Sequence, residues 1–351
     1  MGVLKIIGLS IAGLLILLII FNLIGRSHFN PRGTISKVNK PTNLESGKNS
    51  IEFLSHGDKI AGDLYLPDSF NINEKYPSII LMPPHSGVKE QTAGIYAEKL
   101  SKKGYLTLVF DPRGFGESTG HRGLMSPWRM IEDQKNAVDF VNSFEFVDKT
   151  NIFNLGICAG AGVAADATIE DSRIKAEILV TPYLTSSEEG TGGSAIMEQV
   201  LKTVGGVVRV AYKLFGNEMT TQPVPHAVDE NSGGVIPVSP IVLGMMTYYL
   251  PGKPGDTPTW KNLVSLNSIS AGLDYAIYDR ANKIKKPTYM VLGTEAVSLE
   301  GAERLYDQIK GPKEKLVLEG AGHFEIYWKP KYVNPAVEGI SNFLNQQVNS
   351  K

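Results

Sequence analysis

The chain has 351 residues, 42% hydrophobic and 20% charged, a balance that excludes a disordered or low-complexity polypeptide. A formal net charge of −1 without a basic cluster argues against a nucleic-acid partner. The single cysteine excludes an intramolecular disulfide and any multi-cysteine metal site, and no cofactor is called for.

From Ile6 to Ile24 no residue is charged, and only Ser10 and Asn22 are clearly polar. At about 1.5 Å per residue, such a helix nearly spans a hydrocarbon core of about 30 Å. Residues 1–26 are therefore expected to form an N-terminal membrane anchor, a single-pass transmembrane helix that makes the membrane a partner. A cleaved signal peptide with Lys5 as its basic region is the rival. The small-x-small pattern it needs is missing, because Leu23 and Gly25 precede Arg26. Arg26, Arg32, Lys37 and Lys40 outnumber Lys5, which leans towards a cytoplasmic domain and leaves the face open.

Residues 27–48, rich in Asn, Ser, Pro, Gly and Lys, read as a linker. Ile51 to Leu54 and Ile60 to Leu66 predict a hairpin around His56-Gly-Asp-Lys59. The apolar run Ser78 to Met82 predicts a strand buried on both faces. A helix from about Glu90 to Lys103, a strand over Leu106 to Phe110 and a helix opening at Ser126-Pro127 follow. Ile152 to Ile157 and Ala176 to Val180 read as strands flanking a helix of small residues. Strands over Pro287 to Leu292 and Lys315 to Leu318 enclose a helix near Gly301 to Ile309, and a last helix runs from about Pro335 to Gln347. This alternation predicts an α/β fold with a mainly parallel central sheet and helices on both faces. The core is expected over 49–182 and 284–351, interrupted by a cap or lid over 183–283, too long for a bare loop. Within that insertion, Ala195 to Phe215 carries apolar residues at helical spacing, fitting a lid helix or, more commonly, a helix packed on the sheet. Pro240 to Leu250 adds a second apolar, aromatic-containing stretch, so the substrate is expected to be an apolar acyl or ring-containing small molecule.

The strongest local signal is Gly156-Ile-Cys-Ala-Gly160, placed after an apolar strand and before the small-residue helix. It has the G-x-S-x-G form of a nucleophile elbow, with cysteine replacing serine. A strand turning sharply into a helix holds its nucleophile in a strained backbone, and glycines two residues on either side remove the side chains that would collide. The helix N-terminus also favours a thiolate and the oxyanion that follows its attack.

With Asp111-Pro-Arg-Gly-Phe-Gly-Glu-Ser118 and the terminal Gly320-Ala-Gly-His323, this elbow resembles the α/β-hydrolase superfamily. The cysteine elbow is similar to dienelactone hydrolases, and Gly87 to Glu98 looks like a largely uncharacterised bacterial branch related to them. The resemblance covers about 50–182 and 284–349. It implies Cys158 as nucleophile and His323, on the loop after the strand Lys315 to Leu318, as base. It places the orienting acid after Val291-Leu-Gly293, where Glu295 is the carboxylate. Ala296 occupies the more familiar aspartate position, and Asp274 and Asp279 are weaker alternatives. The oxyanion hole would combine the amide of Ala159 with that of Ser86 or Gly87, while His85 lines the same wall. Asp111 and Arg113 read as ties within the loop after the fourth strand. The expected function is hydrolysis of an ester, thioester or lactone through a Cys158 acyl-enzyme. The alternatives are an acyl transferase on the same site and a catalytically silent, membrane-tethered binding protein.

Overall fold

The computed structural model describes residues 12–20, 41, 43–183, 194–216, 218–224, 240–273, 275 and 277–349. The expected membrane anchor is corrected here. A helix, α1, is described over 12–20. Among the described residues no helix is long and apolar enough to cross a membrane.

An eight-stranded sheet organises the rest, in the order β1-β2-β4-β3-β5-β6-β9-β10. β1 (Gly47–Ser55) and β2 (Asp58–Leu66) form the predicted hairpin, with Ser55 paired to Asp58 across a two-residue turn. His56 and Gly57 both take positive φ (51° and 87°), the left-handed pair that matches the natural twist of paired strands. β2 meets β4 (Leu106–Phe110) antiparallel. From there to the far edge β3 (Tyr76–Met82), β5 (Val147–Ile157), β6 (Ile174–Val180), β9 (Thr288–Glu295) and β10 (Lys313–Gly322) pair in parallel. β3 and β4 are largely apolar and buried because helices cover both faces of the sheet. These helices are α2 (Thr92–Ser101), α3 (Pro127–Asn142), α4 (Ala159–Glu170), α8 (Leu299–Gln308) and α10 (Pro330–Asn349).

Between β6 and β9 the described residues form α5 (Ala195–Phe215), a two-stranded ribbon of β7 (Thr220–Thr221) and β8 (Val264–Ser265), α6 (Pro240–Tyr249) and α7 (Ser268–Leu273). α5 matches its predicted span but not the expectation that its apolar stripe packs on the sheet. Ile196, Val200, Val204 and Val207 are exposed, while Lys202, Val208 and Arg209 are buried.

Two buried ionic knots hold the loop after β4. Lys89 Nζ reaches Asp111 (3.2 Å), Glu90 (2.6 Å) and Glu117 (2.5 Å), and Asp111 also accepts the amides of Lys89 (2.8 Å) and Glu117 (2.9 Å). A Cβ on Gly116 would lie 2.1 Å from the Asp111 carboxylate, so the turn (φ 48°) closes only around glycine. Burial pushes the Asp111 carboxyl up to about 6 despite the neighbouring Lys89 ammonium. In the second knot, Asp133 on α3 accepts Ser55 Oγ (2.6 Å) and the Arg113 amide (3.1 Å) and pairs with Arg113 Nε at 2.5 Å. Asp111 and Arg113 thus act as the expected ties.

Candidate active site

The active-site residues converge at the carboxyl ends of the parallel strands, where the sheet offers a crevice. Cys158 joins β5 directly to α4, with φ 56° and ψ −122°. Its amide is held by the Val180 carbonyl (3.0 Å) and its carbonyl by the Ala161 amide (3.0 Å), so neighbouring elements hold this costly conformation. A Cβ on Gly156 would sit 2.3 Å from the Gly160 oxygen, and one on Gly160 would sit 2.4 Å from the Pro83 oxygen. Both glycines are therefore steric requirements of the turn. Ala159 is the first residue of α4, where amides have no partner inside the helix.

His323 follows β10 and is buried, only 3% exposed. Its Nδ1 lies 2.9 Å from Ser298 Oγ and 3.1 Å from Thr181 Oγ1, and its Nε2 lies 3.2 Å from the Tyr327 hydroxyl. Tyr327 and Cys158 interact and line one cavity. Burial drives the His323 imidazole down to about 3, keeping it neutral.

The carboxylate expected beside this histidine is Glu295. Glu295 ends β9 with an exposed side chain, and two hydroxyls occupy the place on Nδ1 where an acid belongs. Asp279 is also exposed, and Asp274 lies outside the described residues. Thr181 shares a strained, positive-φ backbone with Cys158. It is β-branched with φ 39°, pinned by its amide to the Val291 carbonyl at 2.7 Å.

The oxyanion loop needs one correction. Gly87 spends its amide on the Pro84 carbonyl (2.9 Å), closing a tight turn, and so has no N–H to offer a substrate. Ser86 takes φ 53°, and its buried hydroxyl has no hydrogen-bond partner among the described residues. His85 is driven down to about 4 by burial and stays neutral. A cavity of about 230 Å3 opens over Cys158. Pro84, His85 and Phe324 wall it from the core, and Pro223, Ile241, Met245 and Tyr249 from the insertion. So apolar a lining suits an uncharged acyl group. Among the described residues no cluster of histidine, cysteine and carboxylate side chains could hold a metal ion.

Residues 85–229 match the Hydrolase_4 family, described as Serine aminopeptidase, S33. The uncharacterized protein YcjY of Escherichia coli (strain K12) is 31% identical over 296 residues, spanning 81% of this chain and 92% of YcjY. The chain belongs to the same α/β-hydrolase family as YcjY. The crystal structure of the hypothetical protein PA2218 from Pseudomonas aeruginosa superposes with a TM-score of 0.77 at 24% identity, covering 91% of this chain and all (100%) of that one. A thiohydrolase of Eupenicillium brefeldianum is 24% identical over 263 residues, 73% of this chain and 82% of its own. The protein is accordingly a hydrolase-type enzyme.

Thr181, Ser298 and Tyr327 did not stand out in the sequence. A threonine ending a strand and a tyrosine one helical turn beyond a histidine are ordinary. Ser298 directly precedes α8 and looks like a helix cap, yet it makes no side-chain cap bond and gives its hydroxyl to His323.

Proposed function

We propose that the enzyme cleaves an ester, thioester or lactone through a Cys158 acyl-enzyme, with His323 as the base. The observation that carries this is Cys158 held at φ 56° on a strand–helix elbow, under an apolar cavity that it shares with Tyr327, whose hydroxyl lies 3.2 Å from the His323 ring. In the proposed tautomer the Nδ1–H donates to the Ser298 and Thr181 hydroxyls, and Nε2 is the acceptor. Without a carboxylate on Nδ1, an imidazolium has little support, so the resting pair is thiol and neutral imidazole rather than an ion pair. The thiol proton leaves during attack. Ala159 and Ser86 supply the oxyanion amides, and the insertion acts as the cap that keeps the acyl chain dry.

The test is intact-mass spectrometry after exposure to a panel of activated esters, thioesters and lactones. An acyl adduct that forms on the wild type and is missing from Cys158→Ala supports the proposal; equal labelling of both proteins overturns it. Adding an alcohol or amine acceptor separates hydrolysis from acyl transfer by the product formed.

The hydroxyl-held histidine makes its own prediction. Ser298→Ala should lower kcat/KM by roughly 10- to 100-fold, since the base loses its main orienting contact. Glu295→Gln should leave it unchanged. Because His323 must be neutral to accept a proton and stays neutral down to about pH 3, the kcat/KM profile should show no acid limb near 6.5. Ser298→Asp places a negative charge on Nδ1, favours the imidazolium and should move the acid limb upward. Equal losses in Glu295→Gln and Ser298→Ala would restore Glu295 as the orienting acid.

A further inference from the structure

We infer that Tyr327 is a catalytic residue that carries the proton between Cys158 and His323. The inference rests on the Cys158 nucleophile proposed above. The Tyr327 hydroxyl stands 3.2 Å from His323 Nε2, and Tyr327 lines the cavity together with Cys158, with which it interacts, so it lies on the path a proton takes from nucleophile to base. With Nδ1 holding the imidazole proton, Nε2 accepts from the Tyr327 O–H, and in the relay the same oxygen accepts from the thiol S–H.

The hydroxyl is held in place from several sides. Tyr327 lies on the short helix α9 (Glu325–Trp328), fully buried. α9 is fastened to α2 by two side chains: Thr92 Oγ1 donates to the Tyr327 carbonyl (2.7 Å) and the Tyr96 hydroxyl to the Ile326 carbonyl (2.9 Å). Edge-on contacts with Tyr248 (centroids 5.1 Å) and Phe324 (5.0 Å) fix the ring plane. A tyrosine needed only as apolar filling has no use for its hydroxyl. Here the hydroxyl is placed between the His323 ring and the cavity that Cys158 lines. Burial holds the phenol well above its ordinary range, so its proton stays in place until it is passed on.

The proton balance closes. As Cys158 sulfur bonds to the acyl carbon, its proton moves to the Tyr327 oxygen while the Tyr327 proton moves to His323 Nε2. Expulsion of the leaving group reverses the relay: Tyr327 protonates the departing atom and regains a proton from the imidazolium. In deacylation, water adds to the thioester carbon and gives its proton along the same path, and the thiol recovers one as the acyl product leaves. Tyrosine is unchanged after each step.

The experiment measures pre-steady-state release of p-nitrophenolate from p-nitrophenyl butyrate by the full chain, comparing the wild type with Tyr327→Phe and Cys158→Ala. The relay predicts that Tyr327→Phe slows the burst about 100-fold. It should leave the melting temperature within a few degrees of wild type. The relay also predicts a curved dependence of the burst rate on deuterium fraction in the wild type, because two protons move together, and a linear one in Tyr327→Phe. A Tyr327→Phe burst as fast as wild type, with Cys158→Ala inactive, overturns the relay and leaves the nucleophile standing. A Cys158→Ala burst equal to wild type overturns both. A slowed burst whose isotope dependence is already linear in the wild type overturns the relay in favour of a packing role.

Discussion

Cys158→Ala is expected to lower kcat/KM by at least about 10^4-fold, roughly 5.5 kcal/mol of transition-state stabilisation, while the fold persists. On the proposed mechanism the thiol makes the bond to the acyl carbon, and what remains without it is binding and the oxyanion amides. Alanine keeps the Cβ that the elbow already accommodates, so the strained φ of 56° and the amide bond to Val180 are unaffected. Cys158→Ser should come close to the alanine variant. A hydroxyl gives up its proton far less readily than a thiol, and a histidine held by Ser298 and Thr181 is a weaker base than one held by a carboxylate. A steady-state assay on a substrate identified by mass spectrometry measures both. Cys158→Ala retaining more than a tenth of wild-type activity would remove the cysteine from the chemistry.

The second large effect is on stability. Asp133→Ala should cost about 3–5 kcal/mol, because it strips the counter-charge from Arg113 inside the protein. Arg113 and Asp133 are both buried at 2.5 Å. Arg129, also buried, already feels the positive charge of Arg113, so without Asp133 two cations face each other in a poorly solvated space. Ser55 and the Arg113 amide lose their acceptor at the same time. Urea unfolding, read by tryptophan fluorescence, measures the loss. Arg113→Met combined with Asp133→Leu should recover most of it, since no uncompensated charge is left behind. A single-variant loss below about 1 kcal/mol would show that water enters and screens Arg113.

How much of this the sequence disclosed depends on how far apart the interacting residues are along the chain. Strands and helices were legible because burial on both faces leaves continuous apolar runs such as Ser78 to Met82, and α5 showed its span through apolar spacing. The direction in which α5 faces was not legible: its stripe points outward, and periodicity records a face without saying what covers it. The elbow was legible because strain demands glycines at fixed offsets. The partners of His323 were not. Thr181 and Ser298 lie 142 and 25 residues away and meet it only when β6, β9 and β10 align. Glu295 was chosen because a carboxylate follows the right strand, but its side chain ends exposed. The N-terminal apolar run looked long enough to cross a bilayer, whereas among the described residues no helix is.

The walls of the cavity have two separate origins. Pro84, His85, Cys158 and Tyr327 belong to segments fixed by the sheet, while Pro223, Ile241, Met245 and Tyr249 come from a stretch that interrupts it. Reaction and selectivity can therefore be inherited independently. Exchanging the interrupting stretch between relatives would change which molecules are admitted while the bond-breaking apparatus stays intact, so a lineage can explore new substrates without relearning its chemistry.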